Sequence, residues 1–221
     1  MTALVARRVA GQPLEHVLGW TDFCRLRIVV EPGVFVPRRR TELLVREAAA
    51  LSPRHPVVVD MCCGSGAVGT ALASVLERVE LHAVDIDPVA LRCARRNLAP
   101  VGGRVHEGDL YAPLPAALRS HVDVLVVNAP YVPTGAIGSM PVEAREHEPW
   151  VALDGGVDGL DVQRRVIAGA RNWLSADGHL LVETSRSQAP QTLDAFVRNG
   201  LTARVVRSHE LDATVVIGTT T

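Results

Sequence analysis

The tetrapeptide Asn128-Ala129-Pro130-Tyr131 combines residue types that suit the binding of a planar amide or amine group. The Asn128 side-chain oxygen and the Ala129 backbone carbonyl offer two acceptors for the two N–H bonds of such a group. Pro130 restricts the residue before it to extended conformations, which helps to aim that carbonyl. Tyr131 offers a flat face to a planar target and a π cloud to developing positive charge. The alternative interpretation is an ordinary turn, in which Asn and Pro are common.

A glycine-rich segment precedes this tetrapeptide in the chain. Gly64, Gly66 and Gly69 match the G-x-G-x-x-G pattern between an apolar run and a helical one. Small residues let a ligand approach the backbone closely, and Asp85, at the end of the next predicted strand, can accept hydrogen bonds from both hydroxyls of a ribose. The segment indicates a nucleoside cofactor. A tight strand-to-helix turn without a ligand is the plain alternative.

Two cofactors fit this pattern, S-adenosylmethionine (SAM) and a nicotinamide dinucleotide. Asp60 ends the strand before the glycines, where its carboxylate can help to hold a cationic methionine end, directly or through water. A pyrophosphate would gain nothing from that negative charge. The tetrapeptide follows the fourth predicted strand, and strand C-termini line the ligand crevice of a doubly wound sheet. The sequence therefore favours SAM and methyl transfer to nitrogen, a reaction that depends on in-line positioning and requires no general base.

The elements that position these residues alternate regularly from Pro56 onward. The predicted strands are VVVD, VELHAVD, RVHEGD, VDVLVVN, HLLVETS, ARVVRS and ATVVIGT, and a helix is predicted between successive strands except between the third and fourth and between the sixth and seventh. Apolar strands alternating with helices predict an α/β fold with a doubly wound, seven-stranded Rossmann-like sheet covered on both faces. Because no helix separates the last two strands, we expect them to form an antiparallel edge hairpin.

The chain is predicted to divide into an N-terminal appendage, residues 1–52, and a SAM-binding domain, residues 53–221. The appendage is expected to contain a helix before Gly11, a hairpin over Phe23 to Val36 and the helix ELLVREAAAL, which Thr41 would cap. The segment from Ala129 to Asp158 is predicted to be a loop, and Asp158 to cap the helix after it.

Composition excludes several classes of protein. The chain has 221 residues, of which 48% are hydrophobic and 21% charged, as in a globular protein. Its net charge of −1 gives no attraction to nucleic acid or an anionic membrane. No run approaches about 18 apolar residues, so no membrane span is expected. The four cysteines form no C-x-x-C pair, which predicts reduced thiols in the cytoplasm and no metal site. We expect a monomer.

Several segments make the chain resemble the HemK/PrmC family of protein-(glutamine-N5) methyltransferases. They are GQPLEHVLGW, PGVFVPRRRTELLV, DMCCGSGAVG, VDIDPVALRCARRN, GDLY, VNAPYVP and REHEPWVALDGGVDGLDVQRRV. The last segment separates this family from nucleic-acid methyltransferases that share an Asn-Pro-Pro-Tyr motif. The resemblance covers nearly the whole chain and implies SAM-dependent methylation of a glutamine in a protein substrate, a translation factor or ribosomal protein.

The resemblance also implies roles for individual residues. Asn128 to Tyr131 would bind the target glutamine, Leu110 would lie near the adenine, and the segment with Phe35, Pro37, Thr41 and Glu42 would close over the site. Independently of the resemblance, Asp109 ends the third predicted strand, where it is expected either to approach the adenine amino group or to cap the following turn. The predicted cofactor-binding residues are Phe35, Pro37, Thr41, Asp60, Cys62, Cys63, Gly64, Ser65, Gly66, Asp85, Ile86, Asp109, Leu110 and Asn128.

The chain departs from the family pattern at several positions. Cys62 replaces the first glycine of the SAM loop, Ala129 replaces the first proline of Asn-Pro-Pro-Tyr, and Arg40 replaces an aspartate. The family's helical N-terminal substrate domain is expected to be missing or reduced to a remnant before Gly11, and the chain looks closest to a branch of unassigned substrate. Three alternatives stay open: a nucleic-acid exocyclic-amine methyltransferase, an NAD-dependent oxidoreductase and a SAM-binding module without catalysis.

Two further features have two interpretations each. The basic run Arg38 to Arg40 is interpreted as a solvated face rather than a phosphate track. Glu183, at the end of the strand HLLVETS, either lines the crevice or forms a salt bridge.

Overall fold

The computed structural model describes residues 3–220, which begin with a small N-terminal layer. Its elements are α1 (Ala3–Val9), α2 (Leu14–Leu18), β1 (Trp20–Phe23), β2 (Leu26–Val29) and α3 (Glu42–Leu51). The antiparallel hairpin of β1 and β2 lies N-terminal to the predicted one, which was expected over Phe23 to Val36. Its turn is at Cys24 and Arg25, whose φ angles of 49° and 62° are those of a primed turn without glycine.

Thr41 does not cap α3 as the sequence predicted. Its backbone is helical (φ −67°, ψ −13°) and its side chain makes no capping hydrogen bond. A short 3₁₀ turn, Arg39–Thr41, leads directly into the helix instead. The Thr41 hydroxyl is therefore free to contact other parts of the molecule.

Seven strands form one mixed sheet, which confirms the predicted doubly wound fold. They are β3 (Val57–Met61), β4 (Glu80–Asp85), β5 (Arg104–Glu107), β6 (Val122–Val127), β7 (Leu174–Thr184), β8 (Thr202–Ser208) and β9 (Ala213–Thr219). Their order is β5-β4-β3-β6-β7-β9-β8. The first five in this order run parallel, and β9 pairs antiparallel with both β7 and β8. The closing edge hairpin is thus present as predicted.

Six helices follow the first strand of this sheet. They are α4 (Ala67–Val75), α5 (Pro88–Leu98), α6 (Val142–His147), α7 (Trp150–Leu153), α8 (Asp161–Ala170) and α9 (Ala189–Arg198). The prediction of a loop over Ala129 to Asp158 was wrong, because it contains α6 and α7, each starting after a proline. Asp158 does not cap α8, which begins at Asp161; its Oδ1 accepts from Leu160 N.

The core lies on both faces of the sheet. On one face, Leu43 and Leu44 of α3 are fully buried in the same cluster as Val58 and Val126 of the central strands. Burying a leucine side chain contributes about 1.5–3 kcal/mol. The helix that follows the Arg38–Arg40 run is therefore held firmly against the sheet. Among residues 3–220, none of the helices has both the length and the hydropathy to span a membrane.

Candidate active site

A cleft opens at the carboxyl ends of β3 and β6, where the strand order reverses. Parallel α/β sheets bind ligands at such a switch point. The cleft has a volume of about 200 Å³. Fourteen of the predicted site residues line it: Phe35, Pro37, Asp60, Cys62, Cys63, Gly64, Ser65, Asp85, Ile86, Asp109, Leu110, Asn128, Ala129 and Pro130. Gly66, Thr41 and Tyr131 lie outside this lining.

The glycine-rich loop has a left-handed backbone at three positions. Cys62, Gly64 and Gly66 have φ angles of 57°, 54° and 74°. For a residue with a side chain, this conformation costs about 1–2 kcal/mol, so Cys62 adds strain where the family pattern has glycine. At Gly66 a Cβ would lie 3.1 Å from Leu98 Cδ1 and 3.2 Å from Ala94 Cα. Gly66 therefore serves the packing of α4 on α5.

Asp85 holds the loop from the end of β4. Its Oδ2 accepts from Gly64 N at 2.8 Å and its Oδ1 from Asp87 N at 2.9 Å. Burial raises the pKa of Asp85, and these N–H groups oppose the rise. Each carboxylate oxygen can accept more than one hydrogen bond, so Asp85 can order the loop and still bind ribose hydroxyls.

Asp60 lies beside it on β3, which extends one residue beyond Asp60 to Met61. The Asp60 side chain is 2% exposed, and its Oδ2 accepts from Gly69 N at 2.8 Å. Burial raises the pKa of Asp60 to about 7; the Gly69 N–H lowers it and the charge of Asp85 raises it further. Two buried carboxylates at adjacent strand ends favour a cationic ligand group and oppose a pyrophosphate. This pair of carboxylates therefore fits SAM better than a dinucleotide.

The raised pKa of Asp60 predicts a pH dependence of stability. Because the folded value, about 7, exceeds the ordinary value of 3.8, the native state binds the extra proton between them. The free energy of unfolding is therefore expected to fall as the pH rises from about 4 to about 7, by up to about 4 kcal/mol. Urea unfolding across this range should show a weaker dependence for Asp60→Asn. The control, Asp22→Asn on the exposed hairpin, should retain the full slope; equal slopes for both variants would contradict the assignment.

Another part of the cleft lining is apolar and suits an adenine. Leu110 and Ile86 contribute to it together with Met61 and Val84, which the sequence interpretation missed. Asp109 does not end a strand, since β5 stops at Glu107. Its carboxylate pairs with Arg165 of α8 rather than capping a turn. Further lining residues that were missed are Val151, Ala152, Val162 and Arg165, all from the region of α7 and α8.

The tetrapeptide follows β6, and its first three residues line the cleft. Asn128 Nδ2 donates to Thr41 Oγ1 at 3.4 Å, which leaves Oδ1 as the free acceptor of the Asn128 amide. Tyr131 does not line the cleft; its hydroxyl donates to Glu183 Oε1 at 3.4 Å. The Arg40 guanidinium lies 5.7 Å from the Tyr131 ring centre. The predicted stacking of Tyr131 on a planar target therefore competes with a cation already near the ring.

The basic run is not a simple solvated face. Arg38 pairs with Glu148 at 2.5 Å, Arg39 with Glu210 at 3.5 Å and Arg40 with Glu183 at 3.4 Å. These acids belong to three different parts of the fold. Glu183 does form the salt bridge that one of its two interpretations expected.

The chain is similar in sequence to known methyltransferases. The model of the "Methyltransferase small domain" family matches residues 25–143. A release factor glutamine methyltransferase of Geobacter sulfurreducens is 41% identical over 199 residues, which cover 89% of this chain and 69% of that protein. The chain belongs to the HemK/PrmC family of protein-(glutamine-N5) methyltransferases. The resemblance seen in the motifs is confirmed, and with it SAM as the cofactor and a protein glutamine as the methyl acceptor.

Two other members show how much of a HemK/PrmC protein the chain spans. The release factor glutamine methyltransferase of Mycolicibacterium smegmatis is 40% identical over 210 residues, which cover 94% of this chain and 74% of that protein. In fold, the chain is similar to the solved protein-(glutamine-N5) methyltransferase (release factor-specific) of Alicyclobacillus acidocaldarius. The TM-score is 0.51 at 22% identity, over 86% of this chain and 98% of the other. The likeness supports the class I methyltransferase fold.

Proposed function

We propose that this HemK/PrmC protein methylates the side-chain amide nitrogen of a glutamine in a peptide-chain release factor. The observation that carries the proposal is the orientation of Asn128. Its Nδ2 is turned back toward Thr41, and its residue lines the cleft that suits SAM. Its oxygen is thus available to a substrate N–H. The relatives are release factor glutamine methyltransferases, which supports the class of substrate, and the free cysteines at positions 24, 62, 63 and 93 suit a cytoplasmic location beside the translation machinery.

The residues of the cleft divide into two groups. Asp85 would bind the ribose of SAM, Asp60 would offset the positive charge of its methionine end, and Leu110 and Ile86 would contact the adenine. When bound, SAM would supply a methyl group on a sulfonium to the amide nitrogen; the sulfur would leave as a neutral thioether and the nitrogen would release one proton to solvent. Asp60 is almost fully buried, so its charge interaction with the cofactor would be little screened by water.

The acceptor amide is oriented by the tetrapeptide. Asn128 Oδ1 and the Ala129 carbonyl would accept its two N–H bonds, which turns the nitrogen lone pair toward the cofactor cleft. Ala129 is almost fully buried, so its carbonyl is fixed by the chain around it. Substituting alanine for the family's proline at this position removes no acceptor, because the acceptor is a backbone atom. Pro130 still restricts the Ala129 backbone.

The proposal is tested by methylation of a purified release factor. The protein, incubated with methyl-labelled SAM and the release factor of Geobacter sulfurreducens, is expected to transfer label to one glutamine, located by peptide mass spectrometry. The same release factor with that glutamine replaced by asparagine is the matched control and should take up no label. Label on another residue type, or on RNA added in parallel, would reject the proposed substrate.

A further inference from the structure

The chain just after the tetrapeptide is anchored to the end of α7 and the residues that follow it. Val132 N donates to Leu153 O at 3.0 Å, and Gly155 N donates to Val132 O at 2.9 Å. Val132 and Asp154 thus form a short parallel bridge. On the other side of the tetrapeptide, β6 holds the chain in the sheet up to Val127. The tetrapeptide therefore connects two anchored segments.

The Gln188 side chain adds a further contact at the last residue of the tetrapeptide. Its Nε2 donates to Tyr131 O at 2.9 Å and to Asp158 O at 3.0 Å, and its Oε1 accepts from Ser185 Oγ at 2.6 Å. Because a carbonyl oxygen can only accept, the NH₂ group must face the two carbonyls, and both of its N–H bonds are used. Gln188 lies just before α9 and is 9% exposed, so these hydrogen bonds are shielded from water.

Gly159 shows how closely these groups approach one another. Its φ angle of 78° is one that residues with a side chain rarely adopt. A Cβ added there would overlap both Tyr131 O and Gln188 Nε2. Gly159 belongs to the sequence run LDGGVDGLD and follows Asp158, whose carbonyl also accepts from Gln188. The run therefore has a glycine at the point where Gln188 reaches the tetrapeptide.

The peptide group between Tyr131 and Val132 is held at both of its polar atoms. Gln188 donates to its oxygen, and a backbone carbonyl of α7 accepts from its N–H. A peptide group is planar, and the ring of Pro130 fixes the φ angle of that residue. The soft torsions between this plane and the Ala129 carbonyl are therefore ψ of Pro130 and φ and ψ of Tyr131. Fixing the plane restricts the directions in which the Ala129 carbonyl can point.

We propose that Gln188 is a positioning residue for methyl transfer: by holding the Tyr131 carbonyl, it fixes the direction of the Ala129 carbonyl, the backbone acceptor for the substrate amide. This inference rests on the proposed function, since it assigns Gln188 to the same acceptor site. Gln188 does not line the cleft that suits SAM. Its loss should therefore lower kcat while the affinity for SAM stays the same.

Kinetics of two Gln188 variants separate hydrogen bonding from packing. Gln188→Glu keeps the shape of the side chain but places a carboxylate against two carbonyl oxygens, whereas Gln188→Met removes the donors without adding charge. Both are expected to lower kcat for the release factor at least about tenfold, because small misalignments are costly in group transfer. Gln188→Glu should be the slower of the two. The KM for the release factor and the Kd for SAM should stay within about threefold of those of the unchanged chain.

Gln191→Met is the matched control. Gln191 is exposed on the first turn of α9, and the same substitution there should leave kcat unchanged. Thermal unfolding checks that each variant is folded at the assay temperature. The inference fails if kcat is unchanged in Gln188→Met. It also fails if Gln188→Glu, the closer match in shape, is the more active variant, since packing alone predicts that order.

A second measurement needs no methyl acceptor. The chain has two tyrosines, and only Tyr131 is followed by a valine, so ¹³C-carbonyl tyrosine combined with ¹⁵N-valine labels a single peptide bond. The ¹³C chemical shift of its NMR cross-peak reports the hydrogen bond to the Tyr131 carbonyl. This shift is expected to change in both Gln188 variants and to stay in place in Gln191→Met. An unmoved signal in the Gln188 variants would refute the inference.

The two measurements distinguish a failure of the inference from a failure of the proposed function. If the release factor is not methylated by the unchanged chain, the proposed substrate fails, and the spectrum alone decides whether Gln188 holds the tetrapeptide. If the release factor is methylated and the ¹³C signal moves without a fall in kcat, the proposed function stands and the positioning role of Gln188 is wrong.

Discussion

Asn128→Ala is expected to lower kcat for glutamine methylation by about 10²–10³-fold, the loss seen when one preorganised polar contact is removed from an active site. The Asn128 oxygen is the one side-chain acceptor that the tetrapeptide presents to the substrate amide, and alanine leaves the Ala129 carbonyl alone to orient it. The Kd for SAM should change by less than about threefold, since the charged contacts of Asp60 and Asp85 are intact. Single-turnover transfer to the release factor and calorimetric SAM titration measure the two effects.

The matched control is Asn172→Ala, an exposed asparagine that does not line the cleft. It should leave both kcat and the SAM Kd unchanged. Substantial methylation by Asn128→Ala would reject the acceptor role of its oxygen, and a parallel loss of SAM binding would place Asn128 with the cofactor instead.

Asp85→Ala is expected to weaken SAM binding by about 100-fold or more. The carboxylate accepts from Gly64 N and Asp87 N, and hydrogen bonds to a charged group contribute about 1.5–3 kcal/mol each. Since 1.4 kcal/mol is tenfold in affinity, losing the order of the loop together with the ribose contacts exceeds two orders of magnitude. Calorimetry with SAM, and separately with NAD, gives the measurement.

Asp194→Ala is the control for this titration. Asp194 pairs with Arg198 on the exposed face of α9, and its loss should leave SAM affinity unchanged. Thermal unfolding of both variants, without cofactor, separates a loss of binding from a loss of fold. If a folded Asp85→Ala protein still bound SAM, Asp85 would not be a cofactor-binding residue. NAD binding tighter than SAM binding would favour a dinucleotide as the cofactor.

The sheet could be predicted because each strand is a short apolar run bounded by turn or helix signals. β3 and β6 are buried on both faces, so apart from Asp60 and Asp123 their sequences are apolar and leave little ambiguity. The hairpin of β1 and β2 could not be located as well. Its turn residues, Cys24 and Arg25, carry none of the usual Asn or Gly signals, and the apolar alternation continues past the strand to Val36. The helices α6 and α7 are too short to show periodicity and depend on packing around them.

Sheet topology also explains which residues of the site could be predicted from the sequence. Asp60 and Asp85 lie at the carboxyl ends of β3 and β4, and Asn128 follows β6; these strands are neighbours in a parallel sheet, so topology alone brings the three residues to one edge. The pairing of Arg40 with Glu183 joins residues 143 positions apart across different elements. Neither propensity nor periodicity carries that information. The division of the chain at residue 52 stays a prediction, although α3 shares its core with the sheet.

The arginine run has a consequence for the kind of glutamine that can react. Arg38 and Arg40 hold Glu148 and Glu183, whose side chains are 1% and 2% exposed, and the segment between Phe35 and Thr41 borders the cleft mouth. Moving this segment away would leave two buried carboxylates without their cations, which costs a large amount of free energy in a medium of low polarity. The two ion pairs therefore oppose a hinged opening of this segment. We expect the entrance to favour a glutamine on a protruding loop over one set in a flat surface or a regular helix.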